Sequence, residues 1–417
     1  MKRKVLSGLL FLLMFNCFAQ LKREVIINPM IDSSYTEFSE IFGFWQSYLN
    51  ELNAQNFKNN FLMNSMPENL KDYWDQSEIE NYLFPDLYYS FKRSYGNVFY
   101  PWEREYFIGI VKRNTNIFEL KTVFVSPEEG VFKGFPSFLI TVPIIISGDT
   151  YKLVNKFTLY KCKLESKVFS NITYYYSPHY EFNDSLANLL TKRIEDFKKN
   201  FQIEKQEPIT YLVADNITEI STWFGIDYFQ FDYLGGLSMI EGRALKTNNM
   251  ILCGGCGNNY LHEIIHILLK DYERGKYMLF EEGVASFFGE HLNYNYNYHV
   301  VRLKEYLQKN KWINLSKSLS GYYRNFANEI MYEVTSNSSD FNYLTYSDAQ
   351  MKTNFAYIIH SVLCDIALRQ GGYAKVKELF LHKADNEQEF YHAIEKELGI
   401  KQADLDSYIQ SFINENY

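Results

Sequence analysis

The stretch NNYLHEIIHILLKDY, Asn258 to Tyr272, constrains this chain more than any other. Ile264, Ile265, Ile267, Leu268 and Leu269 leave a helix here almost no face for water, so it belongs inside a core whatever its histidines do. A fold must be built around it with His262, Glu263 and His266 carried along. Positions four apart share one helix face about a turn from each other, so His262 and His266 can present two imidazoles to one metal ion. Glu263, the next residue round, can face a metal-bound water without being a ligand, as a water-activating base must. The same letters can also arise by chance on a structural helix.

The start of the chain bears on where such a helix would work. Lys2, Arg3 and Lys4 precede VLSGLLFLLMF and then NCFAQ. A basic start, a short apolar run and small residues at Cys17 and Ala19 predict a signal peptide over residues 1–19, cut before Gln20. Lipidation of Cys17 is the competing expectation, disfavoured by Phe15 and Asn16 just ahead of it. The apolar run is too short for a membrane span, and nothing later approaches the required length. The expected mature protein is exported, periplasmic or extracellular, with no transmembrane span.

With 417 residues, a net charge of -8 and no Lys/Arg block beyond the signal, the chain has material for more than one domain but no electrostatic footprint for nucleic acid. Its 35 tyrosines and 34 phenylalanines make any single tyrosine weak evidence of function. Beyond the signal stand Cys162, Cys253, Cys256 and Cys364, too few for a fold that depends on a dense disulfide framework.

The hydrophobic period divides the chain. Ser34 to Phe61 has apolar residues at helical spacing, and a second helix is predicted over SEIENYLFPDLYYSF, Ser77 to Phe91. REYFIGIVK, FELKTVFVS, FPSFLITVPIII and TYKLVNKFTLY then read as strands separated by turn signals. Helices followed by an antiparallel meander predict an α+β domain over residues 20–165, in which no chemical motif is evident. A second domain over residues 166–417 opens with NITYYYSP as a strand, NDSLANLLTKRIEDFKKNF as a helix capped by the Asn183, Asp184 and Ser185 cluster, and PITYLVADN as a strand. ALKTNNMILC, Ala244 to Cys253, reads as an edge strand that CGGCGNN turns into the histidine helix; the remainder reads as mainly helical.

A second segment, LFEEGVASFFGE, follows a loop containing Gly275. HEIIH together with the EGVAS of Glu282 to Ser286 resembles the gluzincin metallopeptidases, in particular the aminopeptidase-N-like branch of the peptidase MA-like group. The resemblance covers roughly residues 168 to 380 and is strong only at these two segments. It implies a mainly helical zincin-like catalytic domain with a small sheet, and Zn2+ held by His262, His266 and Glu282, with the neighbouring acid Glu281 as the rival third ligand. Fifteen residues lie between His266 and Glu282, fewer than in that branch, so a shorter connection is expected. Metzincins require Gly and His where Leu269 and Tyr272 stand, and thermolysin-like enzymes an aspartate where Ser286 stands.

By the same resemblance Glu263 takes the proton of a zinc-activated water, and a tyrosine from a later helix steadies the oxyanion. Tyr357 stands where that helix should begin, with Tyr346 as its rival, and an ordinary core or surface tyrosine remains an equal reading of either. GGLSM, Gly235 to Met239, lacks the final Asn of the G-x-M-x-N segment that holds a substrate's amino end, so removal of N-terminal residues does not follow. The expectation is an exported zinc peptidase acting on a peptide or protein, with the edge strand pairing to an extended substrate. The alternatives are a non-catalytic exported binding or surface-assembly protein that retains the fold, and a coincidental motif. Cys253 and Cys256 read as a small disulfide loop or two buried thiols, and His179, His291, His299, His360, His382 and His392 as structural or solvent-exposed.

Overall fold

The computed structural model describes residues 26–27, 37–55, 68–76, 104–125, 136–204, 206–229, 241–272, 279–290, 294–309, 346–382, 384 and 386–417. The expected signal peptide, the helix expected over Ser77 to Phe91 and the GGLSM segment lie outside the described residues. The chain divides into two compact units: residues up to Lys163 with Ser221–Tyr233, and Leu164–Ile220 with Leu234–Tyr417. Helices and mixed sheets together make the fold α+β.

In the first unit, β1 (Ile26–Ile27) runs parallel to β2 (Arg104–Lys112), and β3 (Ile117–Val125), β4 (Pro136–Ser147) and β5 (Thr150–Leu153) continue as an antiparallel meander. Along β3 burial alternates residue by residue, so Phe118, Leu120, Thr122 and Phe124 share the inner face. The helix α1 (Phe38–Gln55) sets Ile41, Trp45 and Leu49 into this core, and Trp45 Nε1 satisfies buried Thr122 by donating to its Oγ1 at 2.9 Å. A short helix α2 (Glu68–Lys71) precedes Trp74, which bridges to Leu153.

Thr150 to Tyr160 is not one strand. It ends at Leu153, and α3 (Lys156–Tyr160) begins because Asn155 Oδ1 accepts from Phe157 N at 2.8 Å, an N-cap that strand-like composition conceals. A strand from much later in the chain, β9 (Ile226–Phe229), completes this sheet by pairing with the first half of β4. Gly225, at φ +87, permits the approach: a Cβ there would lie 2.1 Å from Thr141 O. The single boundary expected after residue 165 does not contain this returning excursion.

The second unit has a five-stranded sheet ordered β10-β11-β8-β7-β6. Its central strands β7 (Ile172–Tyr176), β8 (Ile209–Ala214) and β11 (Met250–Gly254) are parallel, while β6 (Glu165–Phe169) and β10 (Glu241–Leu245) flank them antiparallel. Parallel neighbours require crossovers, and α4 (Asp184–Phe201) supplies one, started by Asn183 Oδ1 accepting from Ser185 N and Leu186 N. ALKTNNMILC proves to be a hairpin. Ala244 and Leu245 end the edge strand β10, Lys246–Asn248 turn, Asn249 adopts φ 48, and Met250 opens the inner strand β11.

After α5 (Ile217–Trp223), the helices are α6 (Leu261–Leu268), α7 (Leu279–Phe288), α8 (Tyr296–Lys309), α9 (Tyr346–Leu381, broken at Gly371 and Gly372), α10 (Glu387–Leu398) and α11 (Leu405–Asn416). One continuous core joins Tyr174, Tyr211 and Ile251 of the sheet to Phe197, Ile264, Val284, Val362 and Phe390 of the helices. Each such side chain contributes roughly 1.5–3 kcal/mol by leaving water. Every residue of α6 is buried, as its sequence requires. No described helix is long and apolar enough to cross a membrane.

Candidate metal centre

The histidine helix starts at Leu261, which places His262 and Glu263 in its first turn and His266 one turn further on. Glycines let two neighbouring elements come close to it, and a third brings α7 against α9. A Cβ on Gly242 of β10 would lie 2.4 Å from Tyr260 Cε1 and 2.9 Å from Glu263 Cγ, so the edge strand passes directly over the first turn. A Cβ on Gly289, just beyond α7, would lie 2.7 Å from His262 N. One on Gly283 would lie 2.8 Å from the backbone C and O of His360, on α9. Ser361 Oγ reinforces this last contact by donating to Gly283 O at 3.1 Å. The glycine of EGVAS is thus a packing requirement that seats Glu282 beside the histidines.

His262 Nε2 and His266 Nε2 are 3.2 Å apart, and each is 3.4 Å from Glu282 Oε2. These three atoms form one group that could hold a metal ion. The donor set can be tested against zinc by arithmetic. Ligand bonds of about 2.0–2.1 Å at tetrahedral angles put neighbouring donor atoms about 3.3–3.4 Å apart. The triangle of 3.2, 3.4 and 3.4 Å is therefore close to one face of a zinc tetrahedron. Two imidazoles and a carboxylate are also suitable ligands for that ion.

Glu281, the neighbouring acid, takes a different place. It is almost completely buried, and its Oε1 accepts from His266 Nδ1 at 2.6 Å, on the side of the ring away from the triangle. The same oxygen lies 2.6 Å from Lys246 Nζ. Burial opposes charge on His266, yet the carboxylates of Glu282 and Glu281 outweigh it and raise the imidazole's pKa to about 10. Burial likewise opposes charge on Glu282, and the two histidines overcome it to hold the carboxyl well below its usual range. The pocket therefore favours positive charge between these groups, whether supplied by a proton or by a metal ion.

Glu263 Oε1 stands 4.0 Å from His262 Nε2, beside the triangle and outside it. The ring of Tyr357, on α9, is centred 6.4 Å from that of His262. The side chain of its rival Tyr346 lies outside the described residues.

No protein-family model matches the chain, and no curated protein matches it either.

Cys253 and Cys256 are two buried thiols, Cys253 Sγ donating to Gly257 O at 3.0 Å. His360 is buried beside α7, and burial pushes its pKa down to about 3, so it stays neutral there. His179 groups with Asp215 and Glu219 in an exposed cluster. Sequence reasoning missed the contact between Glu281 and His266, because it treated Glu281 only as a rival ligand. It missed Lys246 and Gly242 altogether, since neither carries a local motif.

Proposed function

We propose that the chain is an exported zinc peptidase hydrolysing internal peptide bonds. The observation that supports it most is the near-tetrahedral triangle of His262 Nε2, His266 Nε2 and Glu282 Oε2. These three atoms would hold the ion. Zinc bound there supplies two things: it makes a water molecule acidic near neutral pH and it polarises a carbonyl.

The chain's own groups do the rest. Glu263, in the first turn of the same helix, accepts the proton of the attacking water and passes one to the leaving amine. Tyr357 offers a hydroxyl toward the carbonyl oxygen as charge develops on it. Among the described strands β10 pairs only with β11, so its other edge can take an extended peptide through main-chain hydrogen bonds. That mode asks little of side-chain identity and needs no free amino terminus. Export rests on the basic start and short apolar run of residues 1–19.

The test is a broad peptide-library digest with the zinc-loaded protein and its Glu263→Gln variant. Cleavage by the parent and none by the variant, with zinc retained in both, is the expected result. Zinc-loaded parent protein that cleaves nothing would favour the non-catalytic exported binding protein instead.

A further inference from the structure

We propose that Lys246 and Glu281 are positioning residues for the metal centre: Lys246 Nζ fixes the Glu281 carboxylate, and Glu281 in turn fixes His266 so that its Nε2 faces the ion. The inference rests on the zinc reading above.

A buried carboxylate that is not itself a ligand is costly and needs partners. Glu281 is 1% exposed and has two of them converging on one oxygen: His266 Nδ1 and Lys246 Nζ, each at 2.6 Å. The bond to Nδ1 decides the tautomer, because a ring that donates from Nδ1 keeps a lone pair on Nε2. With the second proton displaced by the ion, that lone pair would face it from the triangle formed with His262 and Glu282. The bond also fixes ring rotation, which a lone histidine on a helix would leave loose. Outer partners of this kind commonly account for 10–100-fold in metal affinity.

Lys246 comes from elsewhere in the chain. It follows Leu245, the last residue of β10, at the turn of the hairpin whose strand passes over Glu263. Its ammonium balances the buried carboxylate and limits the rotamers Glu281 can adopt. The hairpin that forms the sheet edge is thereby tied to a metal ligand, through two short contacts spanning 35 residues of sequence.

The experiment measures zinc affinity by competition with a chromophoric chelator for the parent, Glu281→Ala and Lys246→Ala proteins, alongside melting of each metal-free protein. Affinity weakened about 10–100-fold by Glu281→Ala, and in the same direction by Lys246→Ala, is expected, with the visible spectrum of the cobalt-substituted variants also displaced. A purely structural role would lower the metal-free melting temperature and leave affinity and spectrum unchanged, which overturns the proposal. Lys246 is partly exposed, so its variant decides the matter if Glu281→Ala does not fold. Parent protein that binds no zinc defeats the functional reading itself, and parent protein that binds zinc as tightly as both variants defeats only this inference.

Discussion

Replacing Gly283 by alanine tests whether the packing of α7 on α9 sets the geometry of the site. The added methyl carbon would lie 2.8 Å from His360 C, Cβ and O, where ordinary contact begins at 3.4 Å. Two of these atoms are helix backbone, so the relief must come from parting the helices by about 0.6 Å, the difference between those distances. Overpacking of this kind costs about 1–3 kcal/mol. Alanine returns up to about 1 kcal/mol of helix propensity, leaving a net loss of about 0–2 kcal/mol. Glu282 is the preceding residue, and a carboxylate displaced by about 0.6 Å exceeds the roughly 0.5 Å within which the groups of such a site must be held. Zinc affinity should fall about tenfold or more, equivalent to about 1.4 kcal/mol. Urea unfolding in chelator gives the first quantity and chelator competition the second. A Gly283→Ala protein as stable as its parent, with unchanged zinc affinity, would refute the reasoning.

Three further outcomes are expected. Tyr357→Phe should lower kcat by about 10²-fold with little change in zinc content, as loss of one oxyanion donor does; an unchanged kcat removes Tyr357 from the mechanism. Peptides and their N-acetylated twins should be cleaved at similar rates, and loss of cleavage on acetylation would mean that the enzyme reads the amino end. The hydrogen bond from Lys375 and that from His382 hold the Glu397 carboxyl at about 2 rather than 4.5, so its contribution is complete above pH 4.5 and is lost as pH falls toward 2. After allowance for solvent screening this is about 1 kcal/mol, measurable as a pH-dependent change in stability that Glu397→Gln abolishes.

The parts of the fold legible in the sequence were those that local chemistry decides. The meander strands β2, β3 and β4 declare themselves by β-branched and aromatic content, and α4 by Asn183 ahead of an amphipathic run. Thr150 to Tyr160 misled because one side-chain hydrogen bond, from Phe157 N to Asn155, outweighs the composition of the residues around it. β9 was hidden because its partner β4 lies some ninety residues away, and no local pattern records such a pairing. The candidate site divides in the same way. His262, His266 and Glu282 could be chosen from helical spacing and a resemblance, whereas the place of Glu281 depends on which side of an imidazole it reaches. Lys246 belongs to a hairpin whose composition resembles a single strand, so its approach to Glu281 has no signal in the sequence.

The most direct test of the central claim is the zinc content of purified protein, measured per folded chain after dialysis against trace chelator. Parent and Glu263→Gln proteins should each retain about one zinc per chain, while His262→Ala and Glu282→Ala should retain almost none. A parent protein without zinc, or a His262→Ala variant that keeps it, would contradict the account.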